Sequence, residues 1–339
     1  MDKVCGGFIS EKIKPLDAEF GGMTPIVESI LFPDANHKPY LPDGRQQVGV
    51  YFDDWGCVSH AILNSIKTYL KRVFPYLTDN ETGWLTLKFI KDDKIDFSHR
   101  DLVVLSGTEI GKGNSVSKVL ETVQEIGVIP YNEGSWDFSN RDPKVNIPEV
   151  YYSYKRTDRA EEIAQEWNDR LYVEGEWVHR NLLENACKYG TVVVAVNAWY
   201  KNSKGEFYNP TGSHNHLVQV ASYSDREIFD SYKDENGSYI KKLSSWDDVR
   251  IWAKKINITR KYMEKPKLSQ NALVILVEGA GAIGLHLDDQ IIIDDVGKVL
   301  SVFMARNAKN GNFNGGPVVS LKQEDWNKFT KIDLAGRPL

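Results

Sequence analysis

The chain changes character at Gly190. From Asp53 to that glycine, apolar residues recur every three or four positions, the spacing of one helix face. Beyond it, TVVVAVNAWY, NHLVQVASY, REIFDSY and SYIKKL are short runs of Val, Ile and aromatic residues, separated by Gly, Asn, Asp and Ser clusters. A helical half followed by a strand half predicts an α+β protein with an antiparallel sheet, because a parallel sheet would require alternating β and α units. A ligand is then expected in the cleft between the halves.

Within the first half, Val58, Ile62, Ile66, Tyr69, Leu70 and Val73 predict a helix that begins near Cys57, with Asp53 and Asp54 where an N-cap belongs. Val116, Val119, Leu120, Val123 and Ile126 form the stripe of a second helix over 115–126, capped by Asn114 and stopped by Gly127. A third helix is expected within 159–173 and a fourth within 179–189. Residues 1–45 hold Pro15, Pro25, Pro33, Pro39 and Pro42, and predict an irregular arm wrapped on a body formed by 46–264. Residues 265–339, with NALVILVE, LDDQIIIDD, VLSVFMA and a helix near 323–329, are expected to form a small α/β appendage.

Charge excludes several partners. Lys and Arg total 42 against 47 Asp and Glu, without long like-charge runs, so no nucleic acid is expected. The longest apolar-leaning stretch, 271–287, is interrupted by Glu278 and falls short of the roughly 20 residues of a membrane span, so no membrane is expected either. Charges at Asp2, Lys3, Glu11, Lys12 and Lys14 argue against a signal peptide and for a cytoplasmic protein. Cys5, Cys57 and Cys187 are too few for a disulfide framework or a Cys-rich zinc site.

Two motifs mislead. Gly279-Ala280-Gly281-Ala282-Ile283-Gly284 spells a dinucleotide fingerprint, but it runs into LHLDDQIIIDD rather than a helix, and a tight turn is expected. His214 and His216 are spaced to share a strand face, yet no HExxH or CxxC supplies further ligands. His37, His60, His99, His179 and His286 are read as ordinary surface or core residues. Neither a cofactor nor a metal is expected.

The pointed feature is DDWGCVSHAILNSI, where Cys57 follows a glycine at the first turn of an amphipathic helix. A thiolate there is stabilised by the helix dipole and by unpaired amides, which lowers its pKa. It needs a base for its proton, and the base needs a group that orients its ring. His216 at the start of one strand and Asp230 in IFDSY supply these in chain order.

At these residues the chain resembles the papain-like cysteine peptidases of intracellular or phage-encoded type. WGCVSHAILNSI is similar to the family's nucleophile helix, and FSHRDLVVLSGTEIGKGNSVSKVLETVQEIGVIPYNEGSWDF to its Gly-rich turn, helix and Tyr-Pro passage. ACKYGTVVVAVNAWY, NHLVQVASY and IFDSYKDENGSYIKKL are similar to three strands in order, over about residues 46–260. The resemblance implies a helical left half and an antiparallel β right half with a cleft between. It implies Cys57 as nucleophile, His216 as base and then acid, Asp230 as orienter, and Gly111 and Gly113 on the edge that pairs with an extended substrate. The usual orienter is Asn, and the Trp that shields it corresponds here to Tyr232. The oxyanion Gln stands six residues before the family's Cys, where this chain has Tyr51; Gln47, ten before, takes the role only if a longer loop intervenes. The implied function is a thiol hydrolase acting on a peptide or protein substrate at peptide or isopeptide bonds. The alternative is a catalytically silent fold serving as a structural or binding module, with virion proteins as partners and a virion-associated location. An amidase of cell-wall peptides is a third reading.

Overall fold

The computed structural model describes residues 7–12, 18–20, 30–77, 79–91, 94–197, 200–211, 213–249, 252–260, 290–293 and 299–303. The chain forms two units, 1–261 and 262–339, so the proline-rich arm belongs to the same unit as the body. In the second unit the described strands, Gln290–Ile293 and Val299–Phe303, pair antiparallel. Cys5, the glycines of 279–284, His286 and the helix expected near 323–329 lie outside the described residues.

In the first unit the helices are α1 (Cys57–Val73), α2 (Asp79–Phe89), α3 (His99–Leu105), α4 (Val116–Ile126), α5 (Tyr131–Gly134), α6 (Pro148–Tyr152), α7 (Asp158–Arg170) and α8 (Leu183–Tyr189). A two-residue ladder joins β1 (Ile90–Lys91) to β2 (Lys94–Ile95). The larger sheet has six strands, β3 (Leu171–Trp177), β4 (Thr191–Val196), β5 (His216–Ser222), β6 (Glu227–Phe229), β7 (Ile240–Lys242) and β8 (Ala253–Arg260). Their order is β3-β8-β4-β5-β6-β7, every pair antiparallel.

The sequence dictates where this sheet sits. TVVVAV is apolar at every position because β4 is buried on both faces. Val193 and Ala195 join the core shared with α1 and α4, and Val192, Val194 and Val196 join a second core with α8, Val218 and Ile228. Helix α1 is enclosed likewise: Val58, Ile62, Ile66 and Leu70 are buried on its apolar stripe, and His60, Asn64, Lys67 and Thr68 are buried beside them. Thr68 donates to Asn64 O at 2.8 Å and accepts from Gln219 Nε2 on β5 at 3.0 Å, so a polar contact fixes the helix on the sheet. Arg156 clamps the loop before α7 onto α3 through a two-pronged pair with Asp101, at 2.8 Å on each side, both side chains almost fully buried. Removing one member of such a pair costs about 3–5 kcal/mol, since it strands a buried charge.

Several elements depart from expectation. The cap of α4 is Ser115 rather than Asn114, with its side chain accepting from Lys118 N–H. Helix α7 stops at Arg170, and LYVEGEW, partly assigned to the third helix, is strand β3. Strand β5 begins at His216, which leaves His214 in the preceding segment and off the strand face the two were expected to share. Among the described residues no helix is long and apolar enough to cross a membrane.

Candidate active site

Cys57 opens α1, behind Gly56 as N-cap. The two aspartates do not cap the helix directly; they shape the loop before it. Asp53 Oδ1 accepts from Trp55 N–H at 2.7 Å, Asp54 Oδ1 accepts from Gly56 N–H at 2.8 Å, and Trp55 is held at φ 54°. A non-glycine residue keeps that left-handed conformation only when its surroundings enforce it. Gly56 is required by contact, since a Cβ there would meet Val103 Cγ2 at 2.4 Å. Tyr151 donates to Asp54 Oδ2 at 3.0 Å and Tyr152 to Asp54 O at 2.6 Å, and α6 thus braces the loop before Cys57.

His216 stands on the sheet. His216 Nε2 lies 2.7 Å from Asp230 Oδ1, with both side chains 1% exposed. With Nε2 committed to a carboxylate, exchange with the sulfur falls to Nδ1. The sulfur lies by the start of β5, where the backbone N–H of Leu217, the residue after His216, favours its thiolate. Asp230 also accepts from Tyr232 N–H at 3.1 Å and from Lys241 Nζ at 2.5 Å. Burial alone would push this carboxyl up, but the charges of Lys241 and His216 bring it down to about 2. The Tyr232 ring stands 5.2 Å from the imidazole.

Gln47 is carried to this site by a hairpin. Val48 bridges Asp53, Gly49 N–H donates to Phe52 O at 2.9 Å, and Asp54 N–H donates to Gln47 O at 2.8 Å, so the extra residues before Cys57 fold out as a loop. The Gln47 amide is buried, with Nε2 on Asp53 Oδ1 at 3.0 Å and on Tyr232 OH at 2.7 Å, while Ser231 Oγ donates to its Oε1 at 2.5 Å. Tyr232 in turn donates to Asp53. The oxyanion candidate is therefore tied through Tyr232 and Ser231 to the same turn that carries Asp230.

A stretch of the arm covers the sulfur. Gly7 N–H donates to Asn215 O at 3.2 Å, Asn114 N–H donates to Gly7 O at 3.0 Å, and Ile9 N–H donates to Asn114 O at 2.8 Å, the pattern of a parallel bridge centred on Phe8. Phe8 packs edge-on against Trp252 at 5.0 Å. Glu11 accepts from Ser117 N–H in the first turn of α4 at 3.1 Å, near Lys254. Contact at Gly7 is tight on two sides. A Cβ on it would meet Trp55 O at 2.7 Å and Cys57 Sγ at 2.8 Å, and a Cβ on Gly113 would meet the Gly7 backbone at 2.1 Å.

Under this cover Cys57 is 0% exposed. Burial drives the thiol well above its ordinary pKa, against the Leu217 N–H and with the carboxylates of Asp53, Asp230 and Asp54 adding to the rise. The dipole argument from the sequence predicts the opposite direction. Desolvation outweighs it while the arm is seated.

Of the two glycines assigned to the substrate edge, Gly113 lies directly against an extended segment, and Gly111 occupies the turn tip at φ 79° with open space around it. Asn114, read from the sequence only as a cap, makes two of the three main-chain bonds to that segment. Cys187 is buried in α8 with its thiol pushed up chiefly by desolvation. Two histidines are less ordinary than expected: His60 and His99 stack at 4.3 Å and 11°, with Lys67 Nζ 3.3 Å from His99 Nε2.

A cysteine at the start of the buried central helix, a histidine at the start of a following antiparallel strand and an aspartate after the next now stand in one constellation. The fold is α+β, a central helix packed on an antiparallel sheet. No family model matches the chain, and no curated protein matches it. Among solved structures the chain is similar to xylellain, a cysteine protease from Xylella fastidiosa, at 17% identity over 76% of this chain and 96% of that one, with TM-score 0.49. It is similar to digestive procathepsin L 3 of Tenebrio molitor larval midgut at 13% identity, over 70% and 72%, TM-score 0.41. It is also similar to the Carica candamarcensis cysteine protease CMS1MS2 in complex with E-64, at 15% identity, over 68% and 98%, TM-score 0.39. Likeness at this level carries no argument about what the chain does.

Proposed function

We propose that the chain is a papain-like thiol hydrolase that cleaves peptide or isopeptide bonds through an acyl-enzyme on Cys57. The observation that carries the reading is the buried pair His216–Asp230 at 2.7 Å on a strand whose next backbone N–H meets the Cys57 sulfur. His216 Nδ1 takes the thiol proton, and Sγ attacks the substrate carbonyl carbon. The negative oxygen that forms is met by the Cys57 N–H at the α1 terminus, joined by the Gln47 amide once it turns from Asp53. The intermediate collapses as His216 returns the proton to the leaving amine, and water, activated by the same imidazole, releases the acyl group.

The stretch Gly7–Ile9 must leave before substrate enters, and the covered thiol is the resting state of this enzyme. The fitting experiment exposes the full chain to an epoxide or vinyl-sulfone thiol probe and maps the modified residue by mass spectrometry. Modification at Cys57, lost in His216→Ala, supports the reading. Modification at Cys187, or labelling of Cys57 indifferent to His216, would sink it.

Complete burial of the thiol favours a second reading, a silent papain-like module used for structure or binding, as in a virion. On that reading Cys57 stays unlabelled even in a Gly7→Ala variant whose arm has been displaced.

A further inference from the structure

We infer that Lys241 is a positioning residue for the general base, acting through Asp230 to set how firmly His216 holds its proton. The inference rests on the reading of Cys57 and His216 as a thiol pair. Lys241 sits in the middle of β7, paired with Ile228 across the ladder, and its side chain is 1% exposed. Lysine is almost never so buried without a counter-charge. Its ammonium meets Asp230 Oδ2 at 2.5 Å and lies 5.5 Å from the centre of the Phe207 ring. Asp230 spends its other oxygen, Oδ1, on His216. The carboxylate thus bridges a base and an ammonium, one oxygen to each.

The charge count gives the consequence. An orienting amide would accept from the ring with no net charge, whereas a lone carboxylate would stabilise the imidazolium and hold its proton too firmly to pass on. Asp230 with Lys241 behind it sums to zero, so the ring meets an acceptor whose charge is balanced from the far side. His216 is faced by Asp230 beyond β6, with Lys241 behind it on β7, and by the Tyr232 ring with Asp53 on its hydroxyl, and the Cys57 sulfur of α1 lies by the backbone N–H of the next residue, Leu217. Removing Lys241 leaves a bare carboxylate on the ring. Neutralising Asp230 alone leaves a bare buried ammonium near it, which disfavours imidazolium. Neutralising both restores the balance.

The test tracks the ring nitrogens by NMR in the ¹⁵N-histidine-labelled full chain across pH, with His216 assigned by its loss in His216→Ala and thermal melting run on every variant. Lys241→Met should move the His216 transition to higher pH by about one unit, a tenfold change in proton affinity. Asp230→Asn should move it lower, and D230N/K241M should bring it back to near the parent. Coincident transitions in D230N and D230N/K241M overturn the inference, and that comparison decides even if Lys241→Met does not fold. If the parent ring carries its neutral proton on Nδ1 rather than Nε2, the thiol-pair reading itself fails. If the proton is on Nε2 and the transition ignores Lys241, only the role of Lys241 fails.

Discussion

The arm grips the body at two places by different means. At the front, residues 7–12 lie over Cys57 through three main-chain hydrogen bonds, one aromatic edge contact and one carboxylate at a helix terminus. At the rear, within residues 30–41, Phe32, Ala35 and His37 are sunk into the body. Phe32 is 2% exposed, its backbone N–H and that of Leu31 both donate to Lys188 O, and His37 is buried with ring nitrogens on Cys187 O at 2.8 Å and Val220 O at 3.0 Å. The front is held mostly by backbone, so another extended chain could take the same bonds. The rear is held by large side chains that nothing else would replace. One grip can open while the other stays.

The widest separation between them should appear in stability. Phe32→Ala is expected to cost about 3–5 kcal/mol, the usual loss for a buried phenyl ring, read as a lower urea midpoint with unchanged slope. A loss under about 1 kcal/mol would mean that the rear grip is as shallow as the front. Gly7→Ala should do the reverse. The added methyl overlaps Trp55 O and Cys57 Sγ, an overpacking of about 1–3 kcal/mol, which a displaceable arm relieves by leaving. Alkylation of Cys57 should then rise about tenfold or more, with little change in melting; an unchanged rate would show that the arm is not what protects the sulfur. Glu11→Gln keeps the hydrogen bond to Ser117 and loses the charge at the α4 terminus, worth about 0.3–1 kcal/mol. Alkylation should rise a few-fold in low salt and hardly at all in high salt.

Acid separates the grips once more. Burial depresses the pKa of His37 at the rear, against its two carbonyl contacts. It depresses His99 beneath α1 further, with Lys67 adding to the effect. A histidine that binds protons less readily folded than unfolded supports the fold fully above about pH 6.5 and loses that support as pH falls. The melting temperature should therefore drop between pH 7 and pH 5 while the protection of Cys57 holds. Loss of protection ahead of any drop in melting would reverse the assignment of strong and weak grips.

The residues that were legible in the sequence are those whose environment is uniform. TVVVAV announces a doubly buried strand, and the stripe through Val58, Ile62 and Ile66 announces the central helix. What stayed hidden was charge inside the fold. LYVEGEW runs on from α7 without a break and carries Glu174 and Glu176, so β3 reads as more helix. AKKINITR hides β8 because Lys254 and Lys255 are buried, with ammonium groups 3.6 Å from Glu11 and 3.1 Å from Glu176. Lys241 is concealed in the same way, since SYIKKL gives no sign of which lysine faces in. Cys57, His216 and Asp230 are legible from a helix start, two strands and their chain order, and Gln47 from a family pattern alone; the contacts of Gly7, Asn114 and Asn215 depend on pairings far apart in the chain, which no local pattern records.

The hairpin between Gln47 and Asp54 bears on how such chains are found. Lengthening a surface loop by a few residues costs only tenths of a kcal/mol to about 1 kcal/mol, because closure entropy grows with the logarithm of length. Natural variation can therefore insert or delete there almost freely while the glutamine stays beside the tyrosine and the serine that hold it. A pattern that counts residues from glutamine to cysteine would discard every such lineage. One that asks which side chains share a hydrogen-bonded neighbour would keep them.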